Sequence, residues 1–342
     1  MIDLQNIVRP NVLALTPYSS ARDEFSGKAD VYLDANENPY GELNRYPDPY
    51  QKELKNELSV LKKIDAKNIF IGNGSDEVID LAFRLFCNPG VDKALTFTPT
   101  YGMYDVSAAI NDVELIKVPL NQDFQIDLEK VVPYLTNSNV KLIFICSPNN
   151  PTGNLMNKND IETLLIQFEG IVILDEAYID FAEKESLLQL TKKYTNLIIS
   201  QTFSKSWGLA SARIGCAYAD DKIIALFNLI KPPYNISGLN QEAALKALKN
   251  IKYCKENILN ILSEKKELEN SLKSILCVKK VYPSDANFML IEVTNADKVY
   301  QELVTEKIIT RNRNKQVLNC IRISVGTPEE NKQLINALIK IK

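Results

Sequence analysis

Apolar residues in the first two thirds of the chain form short runs without polar alternation, separated by stretches of helical periodicity. Continuous apolar runs are typical of strands that are buried on both faces of a largely parallel sheet. The runs predict strands at residues 68–71, 93–97, 140–146, 171–174, 197–200 and 214–218. The periodic stretches predict helices at residues 75–86, 159–167 and 220–230. Together they predict an α/β fold with a mostly parallel, doubly covered sheet.

The pattern changes after Pro232 and Pro233. A long charged amphipathic helix is predicted at about residues 238–276, followed by alternating strands at 287–293 and 320–325, with helices between and after them. This pattern is typical of a smaller α+β unit. The opening residues contain three prolines and little periodicity. We therefore expect an N-terminal arm at 1–40 packing with the small domain, a large ligand-binding domain at 41–235 and a small domain at 236–342.

Composition excludes several classes of function. The net charge of −3 and the pI near 5.4 leave no basic surplus for nucleic acid. No apolar run approaches the roughly 20 residues that span a bilayer, and the N-terminus shows no secretory signal. The six cysteines lie mostly in apolar runs without a C-x-x-C pair, which favours reduced thiols in a cytoplasmic protein over a disulfide or metal framework.

The chain contains no histidine. This count excludes Ser-His-Asp and Cys-His nucleophilic machinery, H-E-x-x-H zinc sites and any imidazole acid or base. Catalysis by this chain must therefore use lysine, tyrosine, carboxylates or a bound cofactor.

Four polar segments follow predicted strands and should meet outside the carboxyl ends of the sheet. GNGSDEVI, at residues 72–79, is a turn into a helix whose free N–H groups suit a phosphate, although capping by Ser75 alone explains it better. NNPTGN, at 149–154, is a turn by composition. In DEAY, Asp175 follows four apolar residues and needs a cationic partner, which is either a ligand or a structural ion pair. In TFSK, Lys205 lies in a small-residue loop.

Taken together, these segments resemble the fold-type I aminotransferases that use pyridoxal 5'-phosphate, and the resemblance covers almost the whole chain. The motifs are similar to those of the histidinol-phosphate branch of that family. The matching stretches are PYSSAR (17–22), LDANENPY (33–40), RYPDP (45–49), SPNNPTG (147–153), DEAY (175–178), FSKSWGLASARIG (203–215), TRNRNKQ (310–316) and IRISVGT (321–327). The lysine loop differs from the usual sequence motif of the family at Ser206, Trp207, Ser211 and Ala212. None of these differences changes a charged residue.

The resemblance implies that the large domain binds pyridoxal 5'-phosphate. Lys205 is expected to form a Schiff base with the cofactor and to move the substrate proton, which requires a lowered pKa. Asp175 is expected to pair with the pyridine nitrogen, Tyr178 and Asn150 with the phenolic oxygen, and Tyr101 to stack on the ring. The residues expected around the cofactor phosphate are Gly74, Ser75, Thr202, Ser204, Arg213 and, from the neighbouring subunit of a homodimer, Tyr46.

The resemblance also implies a ping-pong transamination in histidine biosynthesis, between histidinol phosphate with 2-oxoglutarate and imidazole-acetol phosphate with glutamate. Arg322, assisted by Arg311, is expected to bind the substrate phosphate and then the carboxylates. Arg313, in the same loop, is expected to be exposed to solvent. Tyr18 and Asn36 are expected to approach the substrate.

Other functions stay open at this stage. A threonine-phosphate decarboxylase and an aromatic amino acid aminotransferase would use the same cofactor, and product analysis with 2-oxoglutarate separates transfer from decarboxylation. A catalytically silent homologue acting as a binding module is disfavoured, because Lys205, Asp175, Tyr178 and Arg213 are all present. A Rossmann oxidoreductase is disfavoured because GNGSDE lacks the third glycine of the dinucleotide fingerprint.

Overall fold

A computed structural model describes residues 4–16 and 30–341 of the chain. Its strands are β1 (Ile69–Asn73), β2 (Lys93–Thr98), β3 (Glu114–Pro119), β4 (Val140–Cys146), β5 (Ile171–Asp175), β6 (Leu197–Thr202), β7 (Ile214–Tyr218), β8 (Val278–Val281), β9 (Phe288–Val293), β10 (Arg311–Asn312) and β11 (Cys320–Ser324). Its α-helices are α1 (Pro10–Leu13), α2 (Lys52–Lys62), α3 (Ser75–Phe86), α4 (Met103–Ile110), α5 (Leu128–Leu135), α6 (Lys158–Gln167), α7 (Asp221–Ile230), α8 (Gly238–Lys249), α9 (Ile251–Leu272), α10 (Ala296–Thr305) and α11 (Pro328–Lys340).

The large sheet has seven strands in the order β1-β7-β6-β5-β4-β2-β3. Its strand pairs are parallel except for those of β7, which runs antiparallel to both of its neighbours. Successive residues of β4 show why the runs are apolar throughout. Ile143 and Ile145 pack into one core cluster, whereas Leu142 and Phe144 pack into a second cluster on the other face. The prediction of a mostly parallel sheet covered on both faces is confirmed.

The reversed direction of β7 matters for the site. The loops after β1, β4, β5 and β6 leave the sheet at one edge, and β7 begins at that same edge because it runs the other way. A bridge between Gly74 and Ile214 joins the end of β1 to the start of β7. Arg213 is therefore placed beside the N-terminus of α3.

The small sheet is antiparallel, in the order β10-β11-β9-β8. Leu268 and Leu272 of α9 pack with β9, β11, α10 and α11 into its core. The prediction of one long helix at 238–276 is wrong, because the chain breaks at Asn250 (φ −111°, ψ 40°) between α8 and α9. Ala244 and Leu248 of α8 pack into a core cluster of the large sheet instead.

The expected boundaries at residues 40 and 236 stay predictions. The described part of the arm, residues 4–16, places Ile7, Val8 and Val12 in the core cluster that also contains α3. Sequence patterns also missed β3, α2, α4 and α5. The outer strand β3 is partly exposed, and α4 and α5 have only eight residues each, too few to establish a clear period.

Candidate active site

The loops at the carboxyl edge of the large sheet enclose a cavity of about 130 Å³. Six polar residues that are expected to hold the cofactor line this cavity, namely Ser75, Asp175, Thr202, Ser204, Lys205 and Arg213. Tyr101 and Tyr178 line it with their rings. The structure therefore brings together side chains that lie up to 138 positions apart in the chain, between Ser75 and Arg213.

Asp175 ends β5 and is buried at the floor of the cavity. The Tyr104 hydroxyl donates to its Oδ2 at 2.9 Å, and the Ala177 N–H donates to its Oδ1 at 3.1 Å. Burial raises the pKa of the Asp175 carboxyl to about 6, although both hydrogen bonds act to lower it. A buried carboxylate with two neutral donors and a raised pKa is suited to bind a cationic or protonated ligand atom.

The next residue, Glu176, is a useful contrast. It is equally buried, but it accepts hydrogen bonds from the Ser186 hydroxyl, the Gln201 amide at 2.9 Å and the Leu187 N–H at 2.8 Å. Burial raises its pKa as well. Since both of its oxygens are occupied by protein donors, Glu176 connects β5 to β6 and the following turn, and its role is structural.

Lys205 projects into the cavity from the turn after β6. Its pKa is lowered, first by partial burial and then by the positive charge of Arg322. Its Nζ lies 5.6 Å from the centroid of the Tyr178 ring. A lysine with these neighbours becomes neutral more readily than a surface lysine, as an amine that attacks a carbonyl or accepts a proton must.

The other end of the cavity is an anion-binding cradle at the N-terminus of α3. Gly74, the N-cap residue of this helix, adopts φ 78° and has no side chain that could cap the helix. A Cβ on Gly215 would lie 2.3 Å from Gly74 C and Ser75 N, so β7 approaches the helix end only because residue 215 is glycine. The Arg213 guanidinium pairs with Asp76, in the first turn of α3, at 3.3 Å.

Two hydroxyls complete this cradle. Thr202 Oγ1 lies 3.0 Å from Ser204 Oγ, and it also accepts from the Ser204 N–H at 3.1 Å. Both residues line the cavity. Backbone N–H groups, hydroxyls and a guanidinium around one helix N-terminus form a set of donors that fits a phosphate monoester.

Two tyrosines of the PTYGMY segment connect to the acids of the site. The Tyr101 hydroxyl donates to Asp76 Oδ1 at 3.1 Å, and Tyr101 packs edge-on against Tyr104 with ring centroids 5.7 Å apart. Sequence reasoning missed Tyr104, which reaches Asp175 from α4, and Cys146, which lines the cavity. No local pattern marks Tyr104, because α4 begins at Met103 and has only eight residues.

Asn150 and Tyr178 lie where the large sheet meets the small one. Asn150 is buried, and its Oδ1 accepts a hydrogen bond from Arg322 Nη1. The Tyr178 ring packs edge-on against Phe288 of β9 at 5.0 Å. Burial raises the pKa of the Tyr178 hydroxyl, whereas the positive charges of Arg322 and Arg313 act to lower it.

The arginines of the small sheet face this junction. Arg322, in β11, lies with its guanidinium carbon 5.0 Å from the centroid of the Phe288 ring. Arg311 lies directly opposite Arg322 on β10 and is exposed. The expectation that Arg313 is solvent-exposed is wrong, because Arg313 is partly buried and its Nε is fully buried.

Tyr46 and Asn36 are not among the described residues that line the cavity. Tyr46 is half exposed and stacks on Tyr234 with ring centroids 4.3 Å apart, and Glu37 accepts from its N–H at 2.6 Å. Asn36 is exposed and adopts φ 54°. Tyr18 lies outside the described residues. For none of these three does the structure test the expected contact.

Within 4–16 and 30–341, no group of three or more Cys, Asp or Glu side chains is arranged to hold a metal ion. In the same part of the chain, no helix has the length and apolarity that crossing a membrane requires. All six cysteines are buried free thiols, as expected.

Comparisons with known proteins agree with this geometry. A model of the family aminotransferase class I and II matches residues 25–338. A histidinol-phosphate aminotransferase from Cytophaga hutchinsonii is 49% identical over 342 residues, covering 98% of each chain. The solved structure of a histidinol-phosphate aminotransferase from Clostridium acetobutylicum gives a TM-score of 0.80 at 27% identity, covering 87% of this chain and 91% of that chain.

A second solved structure adds a bound molecule. A histidinol-phosphate aminotransferase from Sinorhizobium meliloti in complex with pyridoxal-5'-phosphate gives a TM-score of 0.80 at 25% identity, covering 86% of this chain and 82% of that chain. The family match spans more than nine tenths of the sequence, and the family resemblance seen in the sequence motifs is confirmed. The chain belongs to the class I and II aminotransferase family.

Proposed function

We propose that this protein is a pyridoxal 5'-phosphate-dependent transaminase that interconverts histidinol phosphate and 2-oxoglutarate with imidazole-acetol phosphate and glutamate, in histidine biosynthesis. The observation that carries the proposal is the presence of two separate cationic regions near Lys205, whose pKa both Arg322 and Arg213 act to lower. One is the cradle at the N-terminus of α3, and the other is the arginine face of the small sheet. A phosphorylated cofactor and a phosphorylated substrate together need two such regions.

The residues present fit the cofactor. A Cβ at Gly74 would lie 2.5 Å from Arg213 Nη2, and one at Gly215 would fill the cradle, so both positions need to lack a side chain. Ser75, Ser204, Thr202 and Arg213 would hold the phosphate. Asp175 would pair with the pyridinium nitrogen. Its two hydrogen-bond donors in the protein are neutral, so the pyridinium would supply the positive charge that a buried carboxylate needs.

When bound, pyridoxal phosphate supplies an electron sink for the charge left on the substrate α-carbon. Lys205 would anchor the cofactor and, when neutral, would carry the α-proton. Asp175 would keep the ring nitrogen protonated. Tyr178 and Asn150 would donate hydrogen bonds to the phenolic oxygen of the ring, and Tyr101 would stack on it.

The arginine face would bind the substrate. Arg322 is oriented by Asn150 and by the Phe288 ring, and its buried Nε has no hydrogen-bond partner among the described residues. With Arg311 it would bind the phosphate of histidinol phosphate and, in the second half-reaction, the carboxylates of 2-oxoglutarate or glutamate. Tyr18 and Asn36 would approach the substrate, with Tyr18 near the imidazole.

The protein would act as a cytoplasmic homodimer in which Tyr46 reaches the cofactor phosphate of the other subunit. The segment before α2 supports this arrangement, because Leu33 is 91% exposed and Tyr40 is 83% exposed in the single chain. Val31 and Leu43 are similarly exposed. Contiguous exposed apolar side chains are typical of a subunit interface.

The test is a half-reaction. The purified protein is loaded with pyridoxal phosphate, histidinol phosphate is added without any keto acid, and the visible absorption of the lysine-bound cofactor is followed. Conversion to the pyridoxamine form at low substrate concentration is expected. If the absorption spectrum does not change when histidinol phosphate is added, the proposed substrate is contradicted. Threonine phosphate and aromatic amino acids would then be the amino donors to test.

A further inference from the structure

Three arginines lie on one face of the small sheet. In the antiparallel pair β10 and β11, Arg311 is directly opposite Arg322, and directly opposite residues project from the same face. Arg313 comes two residues after Arg311, and its N–H donates to the Cys320 carbonyl at 2.9 Å, which continues the pairing. Because side chains alternate along a strand, Arg313 projects from the same face as Arg311 and Arg322.

Within the part of the chain that the structure describes, this cluster forms no ion pair with a carboxylate. Among the described residues, the arginines that form ion pairs with carboxylates are Arg45, Arg84 and Arg213. The Nε atoms of Arg313 and Arg322 are buried and lack a hydrogen-bond partner in residues 4–16 and 30–341. A partly buried guanidinium without a counter-charge is unfavourable, so the cluster is suited to an anion supplied by a ligand.

The cluster faces the reaction centre. The pKa of Arg313 is lowered by burial, then by Arg322 and by Arg311, and the Tyr178 hydroxyl acts in the opposite direction. Tyr178 in turn lines the cavity beside Lys205. Arg313 therefore lies near the same tyrosine as Arg322, on the face of the small sheet that carries the proposed substrate arginines.

We propose that Arg313 is a specificity-determining residue that joins Arg311 and Arg322 in binding the phosphate monoester of the amino donor, an inference that rests on the proposed function. A phosphate monoester near pH 7 carries close to two negative charges on three oxygens, whereas a carboxylate carries one charge on two oxygens. A third guanidinium therefore favours a phosphorylated amine over an unphosphorylated one. It adds much less to the binding of a dicarboxylate keto acid.

The experiment compares Arg313→Gln with Lys315→Gln, which removes an exposed cation two residues further along the same loop. Each variant is loaded with pyridoxal phosphate and assayed with histidinol phosphate and with unphosphorylated histidinol at constant ionic strength. In parallel, the dissociation constant of inorganic phosphate for each loaded protein is measured by titration calorimetry, which requires no turnover.

We expect Arg313→Gln to raise the KM for histidinol phosphate and the dissociation constant of phosphate, each by roughly tenfold. The kcat and the rate with unphosphorylated histidinol should change less than about twofold, and Lys315→Gln should match the wild type. If both variants bind phosphate like the wild type, the role of Arg313 is refuted. If the wild type itself ignores histidinol phosphate, the proposed function fails, and the phosphate dissociation constants alone then decide whether Arg313 binds a phosphate group.

Discussion

The two halves of the site balance their charges in different ways. At the edge of the large sheet, charged side chains have partners within the protein: Arg213 pairs with Asp76, and Asp175 accepts from Tyr104 and a backbone N–H. On the small sheet, Arg311, Arg313 and Arg322 form no ion pair with a carboxylate of the described residues, and burial and the charges of Arg322 and Arg311 lower the pKa of Arg313. The first half is already organised, whereas the second requires an anion.

This difference matches the two kinds of ligand that the proposed reaction needs. A cofactor that stays bound through many turnovers is best held by a site whose charges and cradle are fixed in advance. A substrate must leave after each turnover, and in the proposed reaction a phosphate and a carboxylate bind in turn at the same place. A cluster of cations that is neutralised only by the bound ligand suits this exchange. The predictions below test this division, beginning with the residue between the halves.

Lys205→Ala should have the largest effect. Because Lys205 is both the attachment point and the proton carrier in the proposed reaction, turnover should fall by at least about 10³-fold. The visible absorption band of the lysine-bound cofactor should also disappear. The control is Lys193→Ala, which removes a lysine that contacts Glu162 and Tyr194 on the surface. A Lys205→Ala protein with normal steady-state activity would refute the assignment of the site.

The next effect separates the two halves directly. Arg322→Gln should lower kcat/KM for histidinol phosphate by roughly 100-fold, because it removes a partly buried cation that would contact the ligand. It should leave cofactor affinity within about threefold. Arg213→Gln should do the reverse, weakening cofactor binding by roughly tenfold with little change in substrate KM once the cofactor is saturating. Fluorescence titration with pyridoxal phosphate and steady-state kinetics measure the two quantities.

If both variants weaken cofactor and substrate binding equally, the site is one coupled network and the division into halves is wrong.

The sequence predicted these halves unequally, for a physical reason. Asp175 and Lys205 follow apolar runs, so their position at the edge of a sheet follows from local patterns. Arg313 does not have such a pattern. Its burial depends on the two-residue strand β10 pairing with β11, and on the small sheet lying against Tyr178, and neither is encoded locally.

The same limit explains two other misses. Tyr104 contacts Asp175, which lies 71 residues later in the chain. Its helix has only eight residues, too few for a helical period to be identified from the sequence. The break between α8 and α9 falls at Asn250, where no glycine or proline marks it. Each of these features is fixed by contacts between distant segments. In contrast, the fold class followed from apolar runs alone.

Gly215→Ala should have the third largest effect, because it disturbs the half that is organised in advance. The added Cβ would lie 2.3 Å from backbone atoms of Gly74 and Ser75, and the helix end must shift to accommodate it. We expect a loss of about 1–3 kcal/mol in the free energy of unfolding, together with weaker cofactor binding. Gly102→Ala is the matched control, since no atom lies within 4 Å of its added Cβ.

Urea unfolding of both glycine variants, with and without pyridoxal phosphate, measures this effect. Equal stability of Gly215→Ala and Gly102→Ala would show that the cradle can relax, which contradicts a rigid first half.

The smallest predicted effect is a gain in stability. The pKa of Asp175 is raised to about 6 in the folded chain, mainly by burial, above the unfolded value of roughly 3.9. An acid with a raised pKa favours the folded state most below about pH 4, and this contribution is lost as the pH rises through about 6. At pH 7.5, Asp175→Asn should therefore stabilise the cofactor-free protein by about 1–2 kcal/mol, since the amide removes the buried charge but also one of two acceptors.

This gain should shrink toward pH 4.5, where wild-type Asp175 is mostly protonated in the folded chain, and activity should be lost at every pH. Urea unfolding of both cofactor-free proteins at the two pH values is the measurement, and exposed Asp123→Asn is the control, with an expected change below about 0.5 kcal/mol. If Asp175→Asn is less stable than the wild type at pH 7.5, the hydrogen bonds from Tyr104 and Ala177 fully offset the cost of burying the carboxylate charge. In that case the organised half would be complete without its cofactor, and a pyridinium partner would no longer be needed to explain why a charge is buried there.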